Sequence, residues 1–181
     1  MINLNTSNIT DPWGCYYEGY CELIENALKG YSINPVRVNH NIIYALLFNL
    51  RHVIELGLKD ILAQIGHIYG KHDVIFQHDL NSLKQLIFKQ LKAYERFDGN
   101  TWTKHWNVIE NHIQFFIDND TGSYSFRYPA TKNKHPSIPN DLNIDIEIIE
   151  RMFKDIRQAF IKITPIIMAD DRNKLKYFED A

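Results

Sequence analysis

The chain has 181 residues, of which 45% are hydrophobic and 23% are charged, as expected for one soluble domain with a sizeable core. Its net charge of −2 excludes a global positive field, so any nucleic-acid binding must use a local patch. The sequence contains no apolar run of membrane-spanning length and begins without the features of a signal peptide, so we expect a cytoplasmic protein that does not bind membranes. Cys15 and Cys21, on different faces of a predicted helix, are expected to be reduced.

The first half of the chain predicts two helices after an irregular N-terminal arm, residues 1–13. Apolar residues recur at helical spacing over 13–32, which predicts the first helix. Asn34 and Pro35 form a helix-start signal, and a pattern without proline then predicts a long second helix over 36–69. Gly57 inside it, like Gly66, indicates either a kink or a point of close packing.

The second half predicts three more helices. Asp79 is expected to cap a helix that ends near Phe97, and Thr101 to begin the next. A proline-containing stretch over 118–140 predicts a long loop. A last helix over 144–169, capped by Asp141 or Asn143, is followed by a charged tail, 170–181, that is expected to fray.

No segment shows a convincing strand pattern, and most of the predicted connections are short. Short connections make neighbouring helices antiparallel. The sequence therefore predicts a single all-α domain over residues 1–181, an up-and-down bundle of four to five helices with a long loop before the last helix.

Four ionisable residues lie close together in the second helix. On a helical projection, Arg51 and Glu55 border the apolar face, whereas His52 and Lys59 point outward. A half-buried arginine must be paired, because an uncompensated buried charge costs roughly 3–5 kcal/mol. One hypothesis is therefore a structural Arg51–Glu55 pair. The other is that this face, completed by another segment, binds an anion or a phosphodiester.

Two further groups of residues have a functional and a structural interpretation. The segment 67–79 has residue types that bind transition metals, but its spacings match no structural zinc pattern, so we expect no metal and favour a helix cap at Asp79. Trp102 and Trp106 could stack on bases, but their helical spacing favours core packing. The metal-ligand types in that segment are His67, His72, Asp73, His78 and Asp79.

The predicted long loop mixes basic and aromatic residues. Basic side chains contact phosphates and rings stack on bases, so this composition suits single-stranded nucleic acid or a nucleotide. The alternative is a proline-anchored loop with incidental surface charge. The residues concerned are Tyr124, Phe126, Arg127, Tyr128, Lys132, Lys134 and His135.

Three short motifs follow one another along the chain: RHVIELGLKDIL from Arg51, HDL from His78 and FRYP from Phe126. Together they resemble the HEPN superfamily, named for nucleotide-binding domains of higher eukaryotes and prokaryotes, and in particular its uncharacterised bacterial members. The resemblance covers about residues 36–165. It implies a helical bundle, commonly a homodimer, in a bacterial defence, toxin–antitoxin or stress context. Many members are metal-independent ribonucleases with an R-x(4–6)-H motif.

Arg51 is not followed by a histidine at that spacing, which favours a non-catalytic member that binds RNA, a nucleotide or a partner protein without a cofactor. One alternative is an atypical metal-independent endoribonuclease, with Arg51, His78, Arg127 and His135 brought together by the fold. A second alternative is a purely structural helical interaction protein. No catalytic residue is assigned. The expected binding residues are Arg51, Glu55, Lys59, His78, Arg127, Tyr128 and His135.

Overall fold

The structure, a computed structural model, contains five α-helices and no β-strand among the residues that it describes. It describes 12–33, 40–68, 76–93, 99–120, 125–128 and 142–179, with the single positions 130, 133, 135 and 137. The all-α fold is therefore confirmed, with its longest connection between the fourth and fifth helices. The helices are α1 (Pro12–Ile33), α2 (His40–Ile68), α3 (Leu80–Ala93), α4 (Gly99–Asn119) and α5 (Ile146–Glu179).

Helix α2 is the central element, because it contacts each of the other four helices. A helix covered on several sides needs apolar residues around most of its circumference, and α2 has them. This position also explains why ionisable residues in the middle of α2 lie inside the protein. Its fully buried side chains include Leu47, Leu50, Ile54, Leu58, Ile61, Leu62 and Ile65.

The hydrogen bonds at the starts of α3 and α5 show which residues cap these helices. The Ser82 backbone N–H donates to Asp79 Oδ1 at 2.7 Å, which confirms Asp79 as the N-cap of α3. The cap predicted for α5 is wrong: the Ile148 N–H donates to Asp145 Oδ1 at 2.8 Å, so α5 begins at Ile146. Asp141 is outside the described residues.

Other boundaries also differ from the prediction. The last helix was predicted to end at residue 169, but α5 extends through Glu179 and includes Pro165. Helix α4 begins at Gly99, two residues before the predicted start at Thr101. Helix α1 includes Pro12 and Trp13 of the predicted arm. The helix-start signal at 34–35 falls outside the described residues.

Gly57 lies at a point of close contact between α2 and α5. A Cβ atom placed on Gly57 would lie 2.6 Å from Cζ of the Phe160 ring, which leaves no room for a side chain. The Phe160 ring is itself held, since it packs edge-on against Tyr17 of α1 with ring centroids 5.5 Å apart. Of the two roles considered for Gly57, close packing is therefore the one observed.

The tryptophans belong to the core. Trp102 and Trp106 are both buried, and the Phe88 ring of α3 packs against them at centroid distances of 5.8 and 5.2 Å. Their core role is confirmed. Cys15 is exposed and Cys21 is buried, and both are free thiols, as expected. Among the described helices, none combines the length and apolarity that crossing a membrane requires.

Candidate functional site

Four charged residues are buried together beside the middle of α2, with no more than 6% of any of them exposed. Arg51, Glu55 and Lys59 follow one another at intervals of four residues and so share one face of the helix. Asp120, which directly follows α4, faces them from another element. We call these four residues the buried ion cluster. Its two positive and two negative side chains are balanced when all are ionised.

Two of the predicted orientations on α2 are wrong. Lys59 was expected to point outward, but only 3% of it is exposed. Helix α1 covers this face, and Lys59 Nζ lies 4.9 Å from the centroid of the Trp13 ring, a cation–π contact. His52 was also expected outward but is partly buried, with the Tyr20 ring edge-on to it at 4.6 Å. A projection of α2 alone contains no information on the position of α1.

Glu55 is the centre of the buried ion cluster. Its Oε2 lies 3.3 Å from Arg51 Nη1, and its Oε1 accepts a hydrogen bond from Lys59 Nζ at 2.9 Å. Oε1 also lies 2.8 Å from His78 Nδ1. His52 Nδ1 is farther away, 3.9 Å from Oε2. The predicted pair between Arg51 and Glu55 is thus confirmed.

These neighbours set the protonation state of Glu55. Burial by itself would raise the pKa of its carboxyl group. The donors around it, on His52 and Lys59 first and then on His78, outweigh burial and lower the pKa to about 2. Because an ionised carboxylate only accepts hydrogen bonds, Nδ1 is the ring nitrogen of His78 that bears a proton. The other ring nitrogen, Nε2, remains, and it belongs to a side chain that is 74% exposed to solvent.

Arg51 connects α2 to two other segments through one guanidinium group. Its Nη2 donates to the His78 carbonyl oxygen at 3.0 Å, and its Nε lies 3.5 Å from Asp120 Oδ2. The other Asp120 oxygen, Oδ1, accepts a hydrogen bond from the Ser125 backbone N–H at 2.7 Å. The planar, fixed geometry of the guanidinium group suits such a three-way contact. We call this arrangement the Arg51 junction.

The two connected segments present exposed rings and nitrogen-containing side chains. Arg127 is exposed, and its guanidinium carbon lies 4.8 Å from the centroid of the Phe48 ring on α2. Beside it, Tyr128 is 51% exposed. On the other segment, Phe76 is 78% exposed and precedes the exposed His78 by two positions. We call Phe76, His78, Arg127 and Tyr128 the aromatic rim.

The predicted site residues therefore fall into three groups. Arg51, Glu55 and Lys59 are buried and contact one another, directly or through Glu55. Three are exposed on the aromatic rim, of which His78 contacts the buried ion cluster directly. His135 is exposed, and none of the contacts within the described part of the chain joins it to the others.

Sequence reasoning missed Asp120 and Phe76. Asp120 lies in DNDTG, a stretch that is typical of a surface turn, and nothing in it distinguishes the buried aspartate from Asp118. Phe76 was not predicted because it lies outside the predicted helices, in VIF at 74–76, a run too short to predict a strand. Its position two residues before His78 was the available signal.

No cluster of three or more His, Cys, Asp or Glu side chains suited to a metal ion occurs in the described ranges. His72 and Asp73 of the candidate metal segment lie outside those ranges. The chain matches no protein-family model, no curated protein and no solved structure. The resemblance to the HEPN superfamily thus stays a prediction.

Proposed function

We propose that this chain is a HEPN-like helical protein that binds single-stranded RNA at the aromatic rim. The observation that carries the proposal is the Arg51 junction, which holds two segments with exposed rings and nitrogen donors at one place on α2. Exposed rings can stack on bases of any sequence, and arginine and histidine can contact phosphates. Without a histidine at the nuclease spacing, binding is the simplest activity of such a surface.

The buried ion cluster has a supporting role in this proposal. Its charges balance internally, so Arg51 and Lys59 contribute little field to the surface. Both are too deeply buried to touch a ligand directly. Of the residues predicted to bind, we therefore assign direct contacts to His78, Arg127 and Tyr128, and assign to Arg51, Glu55 and Lys59 the task of holding them in place.

Binding is tested by fluorescence anisotropy with a labelled single-stranded RNA of mixed sequence at low salt. We expect Arg127→Ala to weaken binding several-fold, because it removes an exposed cation without disturbing the core. Lys154→Ala is the matched control, since Lys154 is an exposed cation on α5. A single-stranded DNA of the same sequence shows whether the 2′-hydroxyl contributes, and a duplex RNA should bind more weakly because its bases are stacked internally.

Two results would count against the proposal. The first is no measurable binding by the wild-type protein, which would favour the interpretation that the buried ion cluster serves only the fold. The second is an equal loss of affinity in Arg127→Ala and Lys154→Ala, which would indicate general attraction to positive charge.

One observation favours a second candidate function, metal-independent cleavage of RNA. The buried Glu55 carboxylate holds His78 Nδ1 at 2.8 Å, which fixes the ring tautomer and leaves Nε2 able to accept a proton from a 2′-hydroxyl group. The test is incubation of labelled RNA with purified protein in EDTA. Cleavage that His78→Ala abolishes would support this candidate, whereas uncleaved RNA that is nevertheless bound would leave only the binding function.

A further inference from the structure

Phe76 has no evident role in the packing of the described fold. It leaves 78% of its surface in solvent, although burying such a ring would contribute roughly 1.5–3 kcal/mol to stability. A single exposed ring is common on protein surfaces and carries no argument alone. The position of this one is more informative, because His78, two residues later, is fixed by Glu55 and by the Arg51 junction.

Like the segment with Phe76 and His78, the segment after α4 combines an exposed ring with a nitrogen-containing side chain. Arg127 and Tyr128 place an exposed guanidinium group next to an exposed ring. The turn that bears them is anchored, because Phe126 is buried and packs edge-on against Phe116 of α4 at 6.1 Å. The aromatic rim therefore consists of two pairs, Phe76 with His78 and Tyr128 with Arg127. Each pair combines a ring with a nitrogen donor.

The two segments that bear these pairs are anchored to the same side chain. One guanidinium group, that of Arg51, contacts the His78 carbonyl oxygen on one side and Asp120 on the other. Asp120 in turn accepts the Ser125 N–H at the start of the second segment. Two recognition pairs anchored at one junction suit a ligand in which the same chemical unit recurs. A nucleic-acid strand is such a ligand, since each of its units has one base and one phosphate.

We propose that the two pairs are neighbouring nucleotide subsites, so that the ligand is an oligonucleotide of at least two nucleotides and not a mononucleotide. In each subsite the ring stacks on a base, and the adjacent side chain, Arg127 or the doubly protonated His78, donates to a phosphate. This inference rests on the proposed function, and it adds the class of ligand and a role for Phe76.

The test measures the affinities of the wild-type protein for a mononucleotide, a dinucleotide and a tetranucleotide by isothermal titration calorimetry. We expect the dinucleotide to bind at least tenfold more tightly than the mononucleotide. Phe76→Ala and Tyr128→Ala should each weaken dinucleotide binding by roughly 5- to 100-fold, as expected for the loss of one stacked base. Each variant should change mononucleotide binding much less, because one subsite stays intact.

Tyr16→Ala is the matched control, since Tyr16 is an exposed ring on α1, 53% accessible, and should not contact the ligand. Equal affinities for the mononucleotide and the dinucleotide, or a Phe76→Ala variant that binds like the wild type, would overturn the two-subsite proposal. Failure of all three ligands, and of the longer RNA, to bind would instead overturn the proposed function.

Discussion

Glu55 is the side chain on which the buried charges of α2 depend. Arg51 and Lys59 are both buried, and each lies within 3.3 Å of a Glu55 oxygen. A buried ion pair contributes little by comparison with an apolar pair, but removal of one partner is costly because the other charge is left uncompensated. Loss of the Glu55 charge would leave two such cations with Asp120 as the one remaining carboxylate of the buried ion cluster.

We therefore predict that Glu55→Gln lowers the free energy of unfolding at pH 7 by about 3–5 kcal/mol, measured by urea denaturation. Glu22→Gln is the control, since Glu22 is an exposed residue of α1. It should change stability by less than about 0.5 kcal/mol. If both variants were equally stable, Glu55 would not compensate the buried cations.

The same carboxylate predicts a pH dependence. Its pKa is lowered from 4.5 to about 2, so the folded state binds its proton less tightly than the unfolded state. The corresponding stability, about 3 kcal/mol, is complete above pH 4.5 and is lost as the pH falls towards 2. We expect wild type and Glu55→Gln to converge in stability over this window. A constant difference between them from pH 7 to pH 2.5 would contradict the assignment.

At the residue scale, the sequence predicted part of the site. The spacing of Arg51 and Glu55 at the edge of an apolar face was enough to predict their pairing. The burial of Lys59 was not predictable from α2, because it results from Trp13 on another helix. The role of Asp120 was hidden for the same reason: its partner, Arg51, is far away in the sequence.

At the element scale, the contact between α2 and α5 depends on the absence of a side chain at Gly57. Glycine within a helix ordinarily costs roughly 0.5–1 kcal/mol relative to alanine. Here a Cβ atom would lie 2.6 Å from the Phe160 ring, against which Tyr17 of α1 also packs. The ring cannot move aside without disturbing α1, so the steric cost should exceed the gain in helix propensity.

We predict that Gly57→Ala lowers the free energy of unfolding by about 1–3 kcal/mol, as overpacking of a core does. Gly30→Ala is the control on α1, because a Cβ atom at Gly30 would have no atom within 4 Å. That variant should be neutral or more stable by up to about 1 kcal/mol. Thermal unfolding of both variants shows directly whether each substitution stabilises or destabilises the protein. Stabilisation by Gly57→Ala would show that Phe160 has room to shift.

The positions of the helices were more predictable than their ends. Apolar periodicity identified all five, because burial against neighbours imposes it along the whole element. Capping was correct for α3, where Asp79 directly precedes Leu80, the first residue of the apolar stripe. It was wrong for α5, where Asp141, Asn143 and Asp145 are equally suitable by residue type. The choice among them depends on how α5 packs, and the local sequence does not determine that packing.

At the scale of the whole molecule, the small net charge limits how RNA can be held. A protein with a net charge of −2 gains no long-range attraction to a polyanion. The exposed cations near the rim must therefore supply the electrostatic part of the binding free energy. On the described rim these are Arg127 and, when protonated, His78. Stacking, which is much less sensitive to salt, should provide the remainder of the binding free energy.

The number of phosphate contacts can be read from the salt dependence of binding. For single strands, log Kobs falls with log[salt] with a slope of about −0.7 for each phosphate neutralised, so two contacts give about −1.4. We predict this slope for the wild type, under conditions in which His78 is protonated, from anisotropy titrations in increasing salt. Arg127→Ala should reduce it to about −0.7, while Lys154→Ala, on α5, should leave it unchanged. A wild-type slope of about −4 would require additional cations, such as Lys132 and Lys134 outside the described residues, and would contradict a rim with two phosphate contacts.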